Sequence, residues 1–161
     1  AEGAIDIAIA ETAFTISESS ILITGFGNIS KSLARVLHSM NANVDLAMRN
    51  KKQAAEAECL GYTVFPINDI LNHIHKYDII FNTVPALIFT SPVLEASARD
   101  VLIIDLASKP GGVDFTAAGL MPRKVIWALS LPGKTAPLTA GKIIKKTITN
   151  ILYEMEGNKN A

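Results

Sequence analysis

Six consecutive residues, Gly25-Phe26-Gly27-Asn28-Ile29-Ser30, have the types and spacing to hold a phosphate group. The first glycine permits a tight turn, and the second, lacking a Cβ, lets a ligand approach the backbone closely. If a helix opens at Asn28, its first-turn N–H groups are unpaired and the positive end of its dipole faces an anion. Ser30 holds the third position of the G-x-G-x-x-G pattern and is small enough for close helix–strand packing.

A bare glycine pattern is weak, so its context decides. Residues 20–24 read as a short apolar strand running into the turn, and residues 28–40 have helical periodicity with Ile29, Leu33, Val36 and Leu37 expected inward. Strand, turn and helix in that order point to a pyrophosphate cradle for a dinucleotide, with Gly25, Phe26, Gly27, Asn28 and Ile29 as the cofactor-binding residues. A second strand, 44–48, should end beside the adenosine ribose. An Asp or Glu there would accept from the ribose hydroxyls. The tip carries Arg49-Asn50 instead, with Lys51 and Lys52 beside it, and Asp45 lies too early. An arginine so placed pairs with a 2′-phosphate and stacks on adenine. The expected cofactor is therefore NADP, with NAD as the alternative, and Arg49, Asn50 and Lys51 belong to its site.

Three further segments fall where a parallel sheet opens to its ligand. Asn82-Thr83-Val84-Pro85 follows a fourth strand, and Thr83, Val84 and Pro85 are expected on the nicotinamide side. Asp105-Leu106-Ala107-Ser108-Lys109-Pro110-Gly111-Gly112-Val113-Asp114 follows a fifth, contributing Leu106, Ala107 and Ser108. Leu131-Pro132-Gly133-Lys134-Thr135-Ala136-Pro137 follows a sixth and contributes Pro132 and Gly133. Dense Gly/Pro loops hold backbone groups in fixed positions. Lys109 and Lys134 are the candidates for contacts with substrate carboxylates; no general base is identified.

The elements that would position these residues alternate. A helix is expected over 2–14 with Ile5, Ala8, Ile9 and Ala13 on one stripe, and a helix over 51–60 stops at a left-handed Gly61. A third strand covers 62–65 and a small helix capped by Asn68 follows it. Strands at 78–82, 101–106 and 124–128 come next. Between and after them lie a helix opened by Ser91-Pro92, a short one over 114–119, and a long one capped by Thr139. Alternation of this kind predicts an α/β fold: a doubly wound parallel sheet of six strands, the Rossmann type, flanked by two interdomain-type helices. One dinucleotide-binding domain fills 1–161. Helices 1–15 and 139–156 read as links to a further domain, and the start without Met suggests a piece of a longer chain.

Composition excludes much else. With 49% hydrophobic and 19% charged residues the chain is not disordered. A mean hydropathy of +0.30 is high, yet each apolar run is broken by Gly, Asn, Asp or Pro before membrane-helix length, so no membrane partner is expected. Fifteen basic residues balance fifteen acidic ones, giving no electrostatic case for nucleic acid. The lone Cys59 is expected as a packed thiol of a cytoplasmic protein, and His38, His73 and His75 lack metal-ligand spacing.

The order of Ala1-Glu2-Gly3-Ala4, Gly25-Phe26-Gly27, Asn82-Thr83-Val84-Pro85, the 105–115 run and the 131–137 run resembles the A-type dipicolinate synthase family over nearly the whole chain. Shikimate and alanine dehydrogenases resemble it more distantly. The resemblance implies an NAD(P)-dependent oxidoreductase of sporulating bacteria, cytoplasmic in the mother cell and acting with a partner, the dipicolinate synthase B subunit. Its reaction would oxidise a dihydrodipicolinate-type small molecule to pyridine-2,6-dicarboxylate. It also implies a separate N-terminal domain, without which the isolated domain is expected to be inactive; a homo-oligomer stays open. The family turn reads Gly-Phe-Gly-Arg-Thr-Gly, so Asn28 here replaces an arginine that would meet phosphate. Two alternatives stand beside this: a nucleotide-sensing module without catalysis, and another NADP-dependent dehydrogenase of the shikimate type.

Overall fold

A computed structural model describes residues 1–157, in two compact units, Ala1–Leu129 and a second that begins at Ser130. The first unit is built on a six-stranded sheet in which every neighbouring pair is parallel. Its strands are β1 (Ser20–Thr24), β2 (Asn43–Met48), β3 (Thr63–Pro66), β4 (Ile79–Asn82), β5 (Leu102–Asp105) and β6 (Lys124–Trp127), in the order β3-β2-β1-β4-β5-β6. The chain winds outward one way from β1, then returns to β4 and winds the other way. The Rossmann-type α/β fold expected from the alternation is therefore present.

The central strands are apolar up to their last residues because neither face meets water. Ile21, Leu22, Ile23, Ile79, Ile80, Phe81, Ile103 and Ile104 are fully buried. Each such side chain contributes on the order of 1.5–3 kcal/mol of burial free energy. α1 (Glu2–Glu11), α2 (Asn28–Ser39), α3 (Lys51–Cys59), α4 (Ile70–His73), α5 (Ser91–Ala96) and α6 (Phe115–Ala118) complete the unit.

Several local expectations are corrected. α1 stops at Glu11, short of Phe14, because Thr12 turns extended and its hydroxyl donates back to the Ala8 carbonyl at 2.7 Å. Ile9 and Ala13 are exposed, so the buried stripe is Gly3, Ala4, Ile5 and Ala8. Asn68 lies inside a 3-10 turn, Ile67–Asp69, and caps nothing. The cap of α5 is Thr90, with Pro92 in the first turn, while Ser91 bonds to Glu95. Cys59 is exposed, not packed. Gly61 does adopt the left-handed stop, at φ +88.

The second unit corrects the 131–137 loop. Leu131–Thr135 is a short helix, α7, and α8 (Pro137–Gly157) begins ahead of Thr139. Leu138, Ile143, Ile144, Ile148 and Leu152 are exposed on α8. Among the described residues no helix is long and apolar enough to cross a membrane.

Candidate functional site

The sheet places its strand tips in register. Ala47, Thr24, Asn82, Asp105 and Trp127 lie side by side, last or nearly last in β2, β1, β4, β5 and β6. The chain reverses its winding between β1 and β4, and in parallel sheets of this order ligands bind outside the carboxyl ends of the strands at that point. Gly25 turns the chain out of β1 at φ +84, with its N–H donating to the Ala47 carbonyl at 2.8 Å. A Cβ at Gly25 would stand 2.9 Å from Thr83 Oγ1, so space as well as conformation demands glycine.

Phe26 packs its side chain against the fold. Its ring is buried, lies edge-on to Tyr62 at 6.4 Å, and carries the Lys31 ammonium 5.0 Å from its centroid. It pins the turn while the backbone does the presenting. Burial pushes the Tyr62 phenol upward, partly opposed by the charge of Arg35. Gly27 is the N-cap of α2, no side chain caps the helix, and a Cβ built there meets nothing within 4 Å. The first turn of α2 thus carries no side-chain cap and opens on a residue with free space at its Cβ position, which is the form of an anion cradle. Asn28 and Ile29 are exposed at its rim, Ile29 contrary to its expected inward placement.

Ser30 is fully buried and closes the cradle from behind. Thr83 donates its hydroxyl to the Thr24 carbonyl at 2.7 Å, so Ser30 must donate to Thr83 Oγ1 across their 2.8 Å contact. A polar chain continues from there through the sheet. Thr24 donates to Asn82 Oδ1 at 2.5 Å, and Asn82 Nδ2 donates to Asp105 Oδ1 at 2.7 Å. Asp105 accepts further bonds from Ala107 N–H at 3.0 Å and Gly112 N–H at 2.8 Å. Thr24, Asn82 and Asp105 are all fully buried, and every buried side-chain polar atom among the described residues has a partner.

Gly112 approaches so closely that a Cβ would overlap Asn82 and stand 2.9 Å from the Val84 carbonyl. The indole of Trp127 donates to the Ala107 carbonyl at 3.0 Å and stacks on Phe115. The Asp105 loop is thereby fastened at its two buried ends, and only Ser108, Lys109 and Pro110 project into solvent.

The β2 tip is different in kind. Met48, Arg49, Asn50, Lys51, Phe65 and Asn68 are among the residues lining an open pocket of about 360 Å³. Arg49 is exposed and forms no ion pair among the described residues. Asn50 is the helix cap of α3, its carboxamide oxygen accepting from Lys52 N–H and Gln53 N–H at 2.9 and 3.2 Å. Glu58 also lines this pocket, one carboxylate against the two cations of Arg49 and Lys51.

The expected residues are thus sorted by the structure. Gly25, Gly27, Asn28, Ile29, Thr83, Val84, Pro85, Leu106, Ala107, Ser108 and Lys109 lie along the tips of β1, β4 and β5, while Arg49, Asn50 and Lys51 gather at β2. Pro132, Gly133 and Lys134 belong to the second unit, within α7. The motifs alone do not single out Asp105, Asn82, Thr24 and Trp127 as functional. The available signal was that each of three apolar strands ends in a polar residue, at Thr24, Asn82 and Asp105.

The chain belongs to the shikimate / quinate 5-dehydrogenase family, whose model matches residues 8–126. Within that setting it is 34% identical over 158 residues to the dipicolinate synthase A-type protein of Bacillus subtilis (strain 168), covering 98% of this chain and 53% of that protein. The crystal structure of that Bacillus subtilis protein superimposes with a TM-score of 0.94. Its counterpart from Bacillus halodurans does so at 0.91, with 35% identity over 94% of this chain and 52% of that one. A transhydrogenase from Sinorhizobium meliloti, 18% identical with a TM-score of 0.83 over 95% of this chain and 52% of its own, shares the fold. The chain spans about half the length of the curated relative it matches. The resemblance read from the motifs holds.

Proposed function

We propose that this chain is the nicotinamide-dinucleotide domain of a dipicolinate-synthase-type dehydrogenase. Its substrate would be a dihydrodipicolinate-type ring dicarboxylate, and its partner a second, B-type subunit. The observation that carries the cofactor reading is the open amide cradle at Gly27, set where the sheet reverses its winding. The similarity to the dipicolinate synthases of the two Bacillus species supports the substrate.

In this reading the first turn of α2 holds the pyrophosphate, and the exposed guanidinium of Arg49, with Lys51, meets a ribose 2′-phosphate. The cofactor is then NADP in preference to NAD. The glycine turn and the β4 and β5 tips hold the nicotinamide in the crevice, with Thr83 acting through its clamp on the Thr24 carbonyl. When bound, the oxidised nicotinamide supplies the hydride acceptor. Ser108 and Lys109 project at the mouth, where an ammonium meets a substrate carboxylate. Orientation at fixed distance is the main contribution of such a domain.

Calorimetric titration with NADPH and NADH tests the cofactor. NADPH should bind about tenfold more tightly, and Arg49→Ala should erase that margin. Equal or stronger NADH binding removes Arg49 from its role. The substrate is tested with full-length protein and its B-type partner given a dihydrodipicolinate and NADP; no reduced-nicotinamide absorbance would reject it.

A further inference from the structure

The two ends of the proposed cofactor site are not independent loops. One hydrogen-bonded chain runs from Ser30, at the pyrophosphate end, through Thr83 and Thr24 to Asn82 and Asp105, and ends on the N–H groups of Ala107 and Gly112. The last two N–H groups bracket the exposed Ser108-Lys109-Pro110 segment. Gly111 sits at φ +87 with its Cβ position 3.0 Å from Asp105 Oδ2, so the loop folds tightly round that carboxylate.

Asp105 accepts all three of its side-chain bonds from N–H groups and faces no ammonium or guanidinium within ion-pair distance among the described residues. A fully buried carboxylate held only by neutral donors is costly in a fold, because uncharged side chains would satisfy a turn at less desolvation cost. Its two oxygens instead organise two separated backbone amides and one side-chain amide at once. No neutral side chain of that size accepts on both of its terminal atoms.

We propose that Asp105 is a positioning residue for the nicotinamide end of the site. It fixes the Ala107–Gly112 loop against the crevice, with the Trp127 indole holding the Ala107 carbonyl from the other side. The assignment rests on the nicotinamide reading above. It separates the site into an end that needs Asp105 and an end that does not: the nicotinamide half meets the loop, whereas the adenosine diphosphate half meets α2 and β2.

The separation is measurable with a ligand that lacks nicotinamide. Calorimetry of this chain should be run with NADPH against 2′-phospho-ADP-ribose, and with NADH against ADP-ribose. In Asp105→Asn one oxygen becomes a donor facing another donor, and affinity for the whole dinucleotide should fall about tenfold. Affinity for the matching fragment should stay within about twofold. Trp127→Phe keeps an aromatic ring, removes the bond to Ala107 together with the part of the indole beside Gly111, and should show the same selective loss, smaller in size. It serves as the test if Asp105→Asn does not fold. A parallel loss for dinucleotide and fragment would reduce Asp105 to a general stabiliser and overturn the proposal. So would an unchanged dinucleotide affinity. If the unaltered chain binds fragments but gains nothing from nicotinamide, the positioning role fails while the pyrophosphate cradle stands. If it binds none of the four, the cofactor reading itself fails.

Discussion

The tips of β1, β4 and β5 and the tip of β2 lie at the same end of one parallel sheet, yet they are built in opposite ways. At the first three, Thr24, Asn82 and Asp105 are fully buried and bonded to one another in a row set by the strand register. At the fourth, Arg49 and Lys51 stand exposed round an open pocket, and the only local hydrogen bonds at Asn50 cap a helix. The first region fixes backbone; the second displays charge. Fixed backbone suits the half of a dinucleotide whose reacting atom must be aimed, and displayed charge suits the half that must only be recognised. Substitutions in the first region should therefore cost stability, and those in the second should cost selectivity.

The largest effect is expected at Gly112. Alanine there would drive a methyl into the Asn82 side chain and against the Val84 carbonyl, and the Asn82 amide cannot swing aside without giving up its bonds to Thr24 and Asp105. Overpacking of this kind costs about 3 kcal/mol, and breaking the Asn82 bonds adds to it. Denaturant unfolding of Gly112→Ala should show that loss; a change under about 0.5 kcal/mol would mean that the two strand tips are looser than their bond lengths imply. Thr24→Val is the next test. It keeps the shape and removes the hydroxyl that donates to Asn82 Oδ1, leaving that oxygen the Val84 N–H alone. The expected cost is about 1–2 kcal/mol. A neutral result would show that the row is a set of separate pairs and not a chain.

The sequence made the elements legible because their signals are local. Continuous apolar runs marked buried strands, Gly25 and Gly27 marked the turn, and Arg49 marked the β2 tip, each read from a few neighbouring residues. What escaped was non-local. Asn82 and Asp105 are 23 positions apart, and Thr24 and Asn82 are 58 apart, so nothing near any of them announces its partner. Asn82 carried no sign of its role, because only the sheet register sets it between Thr24 and Asp105. The packing of Phe26 was hidden for a related reason. Its place between two glycines belongs to the turn, whereas its ring belongs to Tyr62 and Lys31. The 131–137 run shows the opposite failure. Its Gly and Pro content suggested a loop, but Pro132 falls in the first helical turn, where a missing N–H does no harm.

The smallest effect separates the two regions most finely. Asn50 sits at the charged tip but acts there as structure, its side chain accepting from two first-turn N–H groups of α3. Replacing it with alanine removes a cap worth about 1 kcal/mol. If charge display and helix capping are separate devices at this tip, Asn50→Ala should lower stability by that amount while the preference for NADPH over NADH stays intact. Arg49→Ala should do the reverse, leaving unfolding within about 0.5 kcal/mol, since an exposed side chain without an ion pair holds nothing in place. Loss of cofactor preference in Asn50→Ala would instead mean that the capped turn is what aims Arg49. The tip of β2 would then be a positioned site like its neighbours, and the contrast between the two regions would be one of degree.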